Sequence, residues 1–253
     1  MMVHRTALTI LCSFVLCFCA SAAKAQTSPR PTQTMDQVID ALGGQTFLDV
    51  DDIHTSGRFF AFTRGELSGA DLFADYIKFP DMERTEFGGP AIKNKVISIN
   101  RGKTGSKVAG RKEPQEQTPG EGEEFLKGFR TSFDYVLRFV LQDKKTTVQN
   151  LPTEIINFKR TDVVELRDGS KNLIRFYIDR ETHLPLKMQV RRNDDVKLRE
   201  EMYANWHKFQ GVQTPLFVTR YTDGLKTMEI RAETVTYNSG LADNLFTQLT
   251  PAK

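Results

Sequence analysis

From Ile53 onward apolar residues recur at every second position, and one stretch breaks that rule. Ile174, Phe176 and Ile178 alternate with Arg175, Tyr177 and Asp179. Leu186, Met188 and Val190 alternate with Lys187, Gln189 and Arg191, and Met228, Ile230 and Ala232 with Glu229, Arg231 and Glu233. One dry and one wet face per strand marks antiparallel strands covered on a single side. Among the earlier strands, Phe60 and Phe62 alternate with Phe59 and Ala61, so that strand is apolar on both sides in its second half, while Phe73, Ile77 and Phe79 oppose Ala74, Tyr76 and Lys78, and Ile97 and Ile99 alternate with Ser98 and Asn100. Asp168-Gly169, Asp223-Gly224 and the run from Asn100 to Gly105 supply turns.

The exception is Glu121 to Asp143. Phe125, Phe129, Phe133, Val136 and Val140 recur at helical spacing, Leu126, Leu137 and Leu141 widen the stripe, and Lys127, Arg130, Asp134 and Arg138 stay off it. Glu123 and Glu124 suit the positive end of a helix dipole, and Lys144 and Lys145 suit the negative end. The pattern predicts one long helix, preceded by a polar Pro- and Gly-bearing loop from Lys112 to Gly122. A second, short helix is expected after Thr34, where Thr34 and Gln37 form a capping box, and it should stop at Gly43-Gly44. Burying one aromatic side chain is worth roughly 1.5–3 kcal/mol, so three on one stripe require a large apolar partner, and the strands are that partner. A sandwich would give the same alternation. A single thick helix in the middle of the strand order instead favours a sheet curled around it. The expected fold is mainly β (α+β), an unclosed antiparallel β-barrel with an apolar concave face. Candidate cavity and lid residues are Phe60, Phe62, Phe73 and Ile77 on strands and Phe125, Phe129, Phe133, Val136 and Val140 on the helix.

Met1 to Ala25 has the form of a secretory signal, with Arg5, an apolar run from Ala7 to Ala20, and Ala23-Lys24-Ala25 before Gln26. The apolar run is shorter than the roughly 18–20 residues of a membrane anchor. Residues 26–33 form a polar tether, and residues 34–253 a single domain. All three cysteines, Cys12, Cys17 and Cys19, lie in the predicted signal, so the exported chain is expected to have no disulfide, thiolate nucleophile or thiolate metal site. Removing the signal takes Arg5 and Lys24 from the 35 basic residues and nothing from the 32 acidic ones. The near-neutral remainder gives no basis for a nucleic-acid partner.

Motifs for chemistry are sparse. His54, His183 and His207 stand apart, and Asp49, Asp51 and Asp52 lack the glycine and closing glutamate of a calcium loop. Gly102-Lys103-Thr104 lacks the first glycine and following helix of a phosphate loop, and no Gly-x-Ser-x-Gly elbow occurs. Glu200-Glu201 and Asp194-Asp195 are adjacent pairs, which on a strand point to opposite faces. No catalytic residue, metal or cofactor is expected.

The C-terminal third resembles a known family. Tyr203-Ala204-Asn205-Trp206, Gly211-Val212-Gln213-Thr214-Pro215, and Val235 through Asn238 to Leu245-Phe246 are similar to periplasmic outer-membrane lipoprotein-sorting proteins (LolA/LolB-like). Tyr177 to Pro185, with its Asp-x-x-Thr-x-Leu-Pro ending, agrees, as do Ala41-Leu42-Gly43-Gly44 and Lys78-Phe79-Pro80-Asp81. One departure is Ser106, where relatives often carry an aromatic. Gly211 would permit a turn, Pro215 would start a strand, and Leu245-Phe246 would pin the chain end to the core. The resemblance implies a half-barrel with helices packed in its concave face. It further implies a periplasmic, non-enzymatic protein that binds a lipid or acylated lipoprotein, touching the membrane only transiently. The alternative is an envelope sensor or interaction module with a filled core and a protein partner.

Overall fold

The computed structural model describes residues 31–89 and 95–249. The predicted signal, its cleavage site and the start of the tether lie outside them. A single antiparallel sheet of thirteen strands dominates. It comprises β1 (Asp52–Thr63), β2 (Glu66–Lys78), β3 (Met82–Phe87), β4 (Val96–Arg101), β5 (Thr104–Ala109), β6 (Gln115–Glu116), β7 (Thr147–Ile156), β8 (Lys159–Arg167), β9 (Leu173–Asp179), β10 (Pro185–Arg191), β11 (Leu198–Phe209), β12 (Val212–Thr222) and β13 (Leu225–Tyr237). The spatial order is β6-β5-β4-β3-β2-β1-β13-β12-β11-β10-β9-β8-β7. The chain thus meanders outward from β1, crosses once to the far edge, and meanders back until β13 pairs with β1. The sheet is not closed, and the crossing segment that joins its free edges is helical.

Two expected helices begin and end elsewhere. Helix α1 (Pro31–Leu42) already includes the last residues of the expected tether, and Thr34 is buried within it rather than capping it. Met35, Val38, Ile39 and Leu42 form its buried stripe, and the short α2 (Gln45–Leu48) follows. At Gly43 a Cβ would run into the carbonyl oxygen of Gly211, so glycine lets the end of α1 touch the β11–β12 turn. The Glu121–Asp143 pattern forms two helices, not one. Helix α3 (Pro119–Arg130) starts earlier than expected, with a capping box between Thr118 and Glu121 and Pro119 at its first position. Thr131 then bonds back to the carbonyls of Lys127 and Gly128 through its hydroxyl, and Ser132 is extended and caps the next helix by accepting from the Tyr135 amide. Hydroxyl side chains that compete for backbone groups break the run there. Helix α4 (Phe133–Tyr135) passes directly into a π-helix (Val136–Val140). Among the described residues no helix is long and apolar enough to cross a membrane.

The main core lies on the concave side. Met35, Val38 and Leu42 of α1, Phe47 of α2, and Phe133, Val136 and Leu137 pack against Val164, Leu166, Ile174, Phe176, Ile178, Met188 and Val190. Ile174, Phe176 and Ile178 of β9 and Met188 and Val190 of β10 belong to the dry sets that the alternation predicts. Arg138 ties the π-helix to α2: its Nε donates to the Phe47 carbonyl at 3.0 Å and its guanidinium lies 3.9 Å over the Phe47 ring. A second cluster sits on the other side of the sheet, where a 3-10 helix (Asp243–Phe246) lays Phe246 on Ile97, Ile99 and Val108. Leu245-Phe246 thus pins the chain end, but to the outer face. Beneath it the Nη1 of buried Arg84 donates to the Leu245 and Gln248 carbonyls, and Glu86 bridges Arg84 and Lys95. Pro215 sits inside β12 rather than at its start, before pairing with β13 begins at Phe217.

The β1–β13 seam is clamped by Asp52, which is 3% exposed. Its carboxylate accepts from the Ser239 amide and hydroxyl and from the Gly240 and Leu241 amides at 2.8–3.0 Å. Burial alone would raise this pKa, and the bonds from Leu241, Ser239 and Gly240 outweigh it, holding the carboxyl below its ordinary value. A depressed folded-state pKa contributes stability that is complete above the unfolded value and is lost as pH falls through the folded one. Asp52→Ala should therefore lower unfolding free energy by about 2–4 kcal/mol at neutral pH, with the gap from wild type shrinking below the ordinary carboxylate pKa. Urea unfolding at neutral and acid pH measures both, and a loss independent of pH would contradict the clamp.

Candidate functional site

The helices do not fill the concave side. Between the β1–β3 wall and the β11–β13 wall, beneath α3, lies a hollow of about 600 Å³, within the range of small-molecule sites. Its walls carry Phe73, Ile77 and Phe79 on one side and Val218, Ile230, Ala232 and Val235 on the other. Phe125 and Phe129 enter from α3 and Phe133 from α4. The rings touch in sequence, with Phe125 and Phe129 centroids 5.5 Å apart and Phe129 and Phe79 6.0 Å apart.

Of the nine candidate residues, Phe73, Ile77, Phe125, Phe129 and Phe133 come together here. Phe60 and Phe62 do not. Strand alternation turns them to the outer face, where Arg231 lies over the Phe60 ring and Lys226 over the Phe62 ring. Both sides of β1 are aromatic at that end, so the sequence pattern could not choose between them, and it is Phe59 that contacts Phe87. Val136 is fully buried in the main core. Val140 packs at the edge of the main core and lines a separate cleft beside Leu126, Tyr135 and Phe139.

The two helices are held differently. Phe133 is wedged into the core, 4.8 Å from Tyr203 and 6.2 Å from Trp206. Helix α3 is anchored by buried Leu126 and Phe129 and strapped across the mouth by ion pairs at both ends. Lys103–Glu123 and Lys107–Glu121 join it to the β4–β5 hairpin at 3.3 and 3.9 Å. Lys127–Asp194 and Arg192–Glu124 join it to the β10–β11 hairpin at 2.5 and 2.6 Å. At Gly122 a Cβ would run into the Lys103 carbonyl, so glycine lets α3 lie on that hairpin. Apart from buried Arg192 these partners are exposed, and exposed ion pairs contribute little each and weaken with salt.

A polar group interrupts the apolar lining. Asp75 shares the inward face of β2 with Phe73 and Ile77, and Glu83 lies diagonally beside it on β3. Burial, reinforced by Glu83, pushes the Asp75 carboxyl well above its ordinary range, and burial also raises Glu83. Opposite them Arg220 pairs with Glu201, which also accepts from the Tyr203 hydroxyl at 2.7 Å. The sequence pattern shows Asp75 as the one acid in the stripe Phe73-x-Asp75-x-Ile77-x-Phe79, an interruption that is itself a signal. Glu200 and Glu201 do point apart, as expected of neighbours on a strand. Glu201 faces Arg220 and Glu200 faces Gln189.

An unclosed antiparallel half-barrel with helices over an apolar hollow defines the class of fold. The chain has a LolA/LolB-like fold. It is similar to a DUF1329 family protein from Desulfovibrio piger (TM-score 0.59, 13% identity, covering 86% of this chain and 98% of that one). A domain described as an outer membrane lipoprotein-sorting protein from Vibrio parahaemolyticus is also similar (0.55, 15%, 85% and 95%). So is a LolA superfamily protein from Nitrosomonas europaea (0.53, 13%, 87% and 99%). No protein-family model matches the sequence, and no curated protein matches it. The likeness is one of fold.

Because Phe133 is 8% exposed and Phe125 is half-buried at the mouth, the two rings should differ in cost. Phe133→Ala should lose about 3–5 kcal/mol and Phe125→Ala on the order of 1 kcal/mol. Urea unfolding of the two variants tests the division between core helix and cover, and equal losses would contradict it.

Proposed function

We propose that the protein is an exported, non-enzymatic carrier or sensor that takes an apolar chain, such as an acyl chain of a lipid or lipoprotein, into the hollow beneath α3. The observation that supports this most is the division of labour in the crossing segment. Its second half completes the core, while its first half roofs an unfilled, largely apolar space on two buried anchors, Leu126 and Phe129, with ion pairs to two hairpins at its edges. A cover attached in this way can lift without unfolding the core, which a bulky guest requires. The similarity to a lipoprotein-sorting domain and to a LolA superfamily protein, and the signal-like residues 1–25, support a periplasmic setting with transient membrane contact.

The test uses 1-N-phenylnaphthylamine, a neutral apolar fluorophore. Saturable binding to the wild type is expected. Ala232→Phe, which projects a ring from the floor into the hollow, should weaken that binding by about tenfold or more with the fold retained by circular dichroism. No saturable binding by the wild type, or equal binding by a folded Ala232→Phe variant, would overturn the proposal.

A further inference from the structure

Resting on the apolar-chain reading above, we infer that the guest carries a primary ammonium group, and that Asp75 and Glu83 receive it at the polar end of the hollow. The local charges do not balance without it. Of the six carboxyl groups that line the hollow, Glu201 is paired with Arg220, Asp134 with Arg138, Glu124 with Arg192 and Glu200 with Lys187. Asp75 and Glu83 have no ion-pair partner among the described residues. Glu83 has only a long bond, 3.5 Å, from the Asn100 amide. Asp75 Oδ1 is sealed from solvent and has no hydrogen-bond partner. An unpartnered acceptor buried beside a second carboxyl costs folding free energy, and a guest that brings donors and positive charge removes that cost.

The kind of donor is constrained. The second carboxyl repels a carboxylate or phosphate, so an anionic headgroup is the wrong ligand for this end. A metal ion is disfavoured because no three acidic or imidazole side chains converge as its ligands among the described residues. An ammonium offers three donors in a compact charge, which suits two carboxyls set diagonally on neighbouring strands. The aromatic rings under α3 lie within the same hollow and would hold the attached chain. The raised pKa of both carboxyls agrees with a site whose charge is unbalanced when empty. For a carboxyl harder to ionise in the folded state the penalty is absent below its unfolded value, grows as pH rises between the two values, and is constant above.

The experiment displaces bound 1-N-phenylnaphthylamine with dodecylamine, dodecanol or dodecanoate at about pH 8, where the amine is charged, all below their micelle concentrations. Dodecylamine should displace the probe at a concentration about tenfold lower than either of the others. The double variant Asp75→Asn, Glu83→Gln should bring the three chains within roughly threefold of one another and raise the melting temperature of the empty protein. Dodecanoate or dodecanol equal to dodecylamine in the wild type, or an amine preference undiminished in the variant, would overturn the ammonium site and leave the apolar-chain reading standing. If neither the fluorophore nor any of the three chains binds, both readings fail.

Discussion

A thirteen-stranded sheet that leaves β1 in one direction and returns to it through β13 has two free edges and no strand to join them. Everything apolar on its concave face must be covered by whatever crosses between those edges. The dry faces of β8, β9 and β10 point there, as do Phe73 and Ile77 of β2 and Ile230 and Ala232 of β13. The crossing segment therefore becomes helical, because a helix can present apolar side chains to both walls while satisfying its own backbone. The clamp of Asp52 on residues 239–241 holds the seam opposite the gap and so fixes how far the two walls stand apart.

The break at Thr131-Ser132 turns that covering segment into two parts with different duties. Beyond it, Phe133, Val136 and Leu137 are committed to the core, and Arg138 bonds the π-helix to α2. A π-helix shifts the side-chain register within a turn, and here it accompanies a buried arginine on the inner face of a helix. Before the break, α3 buries Leu126 and packs Phe129 against Phe79 and Tyr135, while Phe125 stays half-buried over the hollow. The two polar clusters of the β2–β3 region repeat the contrast. On the outer face Glu86 bridges Arg84 and Lys95, and Arg84 holds the chain end. On the inner face Asp75 and Glu83 form no ion pair of their own, and burial outweighs the attraction of Arg220, which is already paired with Glu201.

Much of this was legible in the sequence because period-two alternation reports one-sided burial directly. The inward sets on β9, β10 and β13 and the Phe73–Ile77 pair could be assigned from it. The helical stripe was right about which residues are apolar but wrong about continuity, because the side-chain hydroxyls of Thr131 and Ser132 outweigh the apolar period. Phe60 and Phe62 were unreadable for a different reason: where both faces of a strand carry aromatics, only the pairing register decides which is inside, and cation–ring stacking then makes an exposed aromatic tolerable. Thr34 sits where a cap would read well, yet a helix starting no later than Pro31 buries it. The polar end of the hollow depends on strands far apart in sequence, β2 and β3 against β11 and β12, and no local pattern brings Asp75 and Arg220 to the same space.

The central claim is that the hollow beneath α3 exists to hold a guest. Native mass spectrometry of the protein isolated without detergent from its own cell envelope, with organic extraction of the same sample, tests it most directly. The account predicts a population carrying one extra mass that is lost on extraction and recovered in the organic phase as an amphiphile. A single unliganded mass, from material that was never exposed to detergent or denaturant, would contradict it.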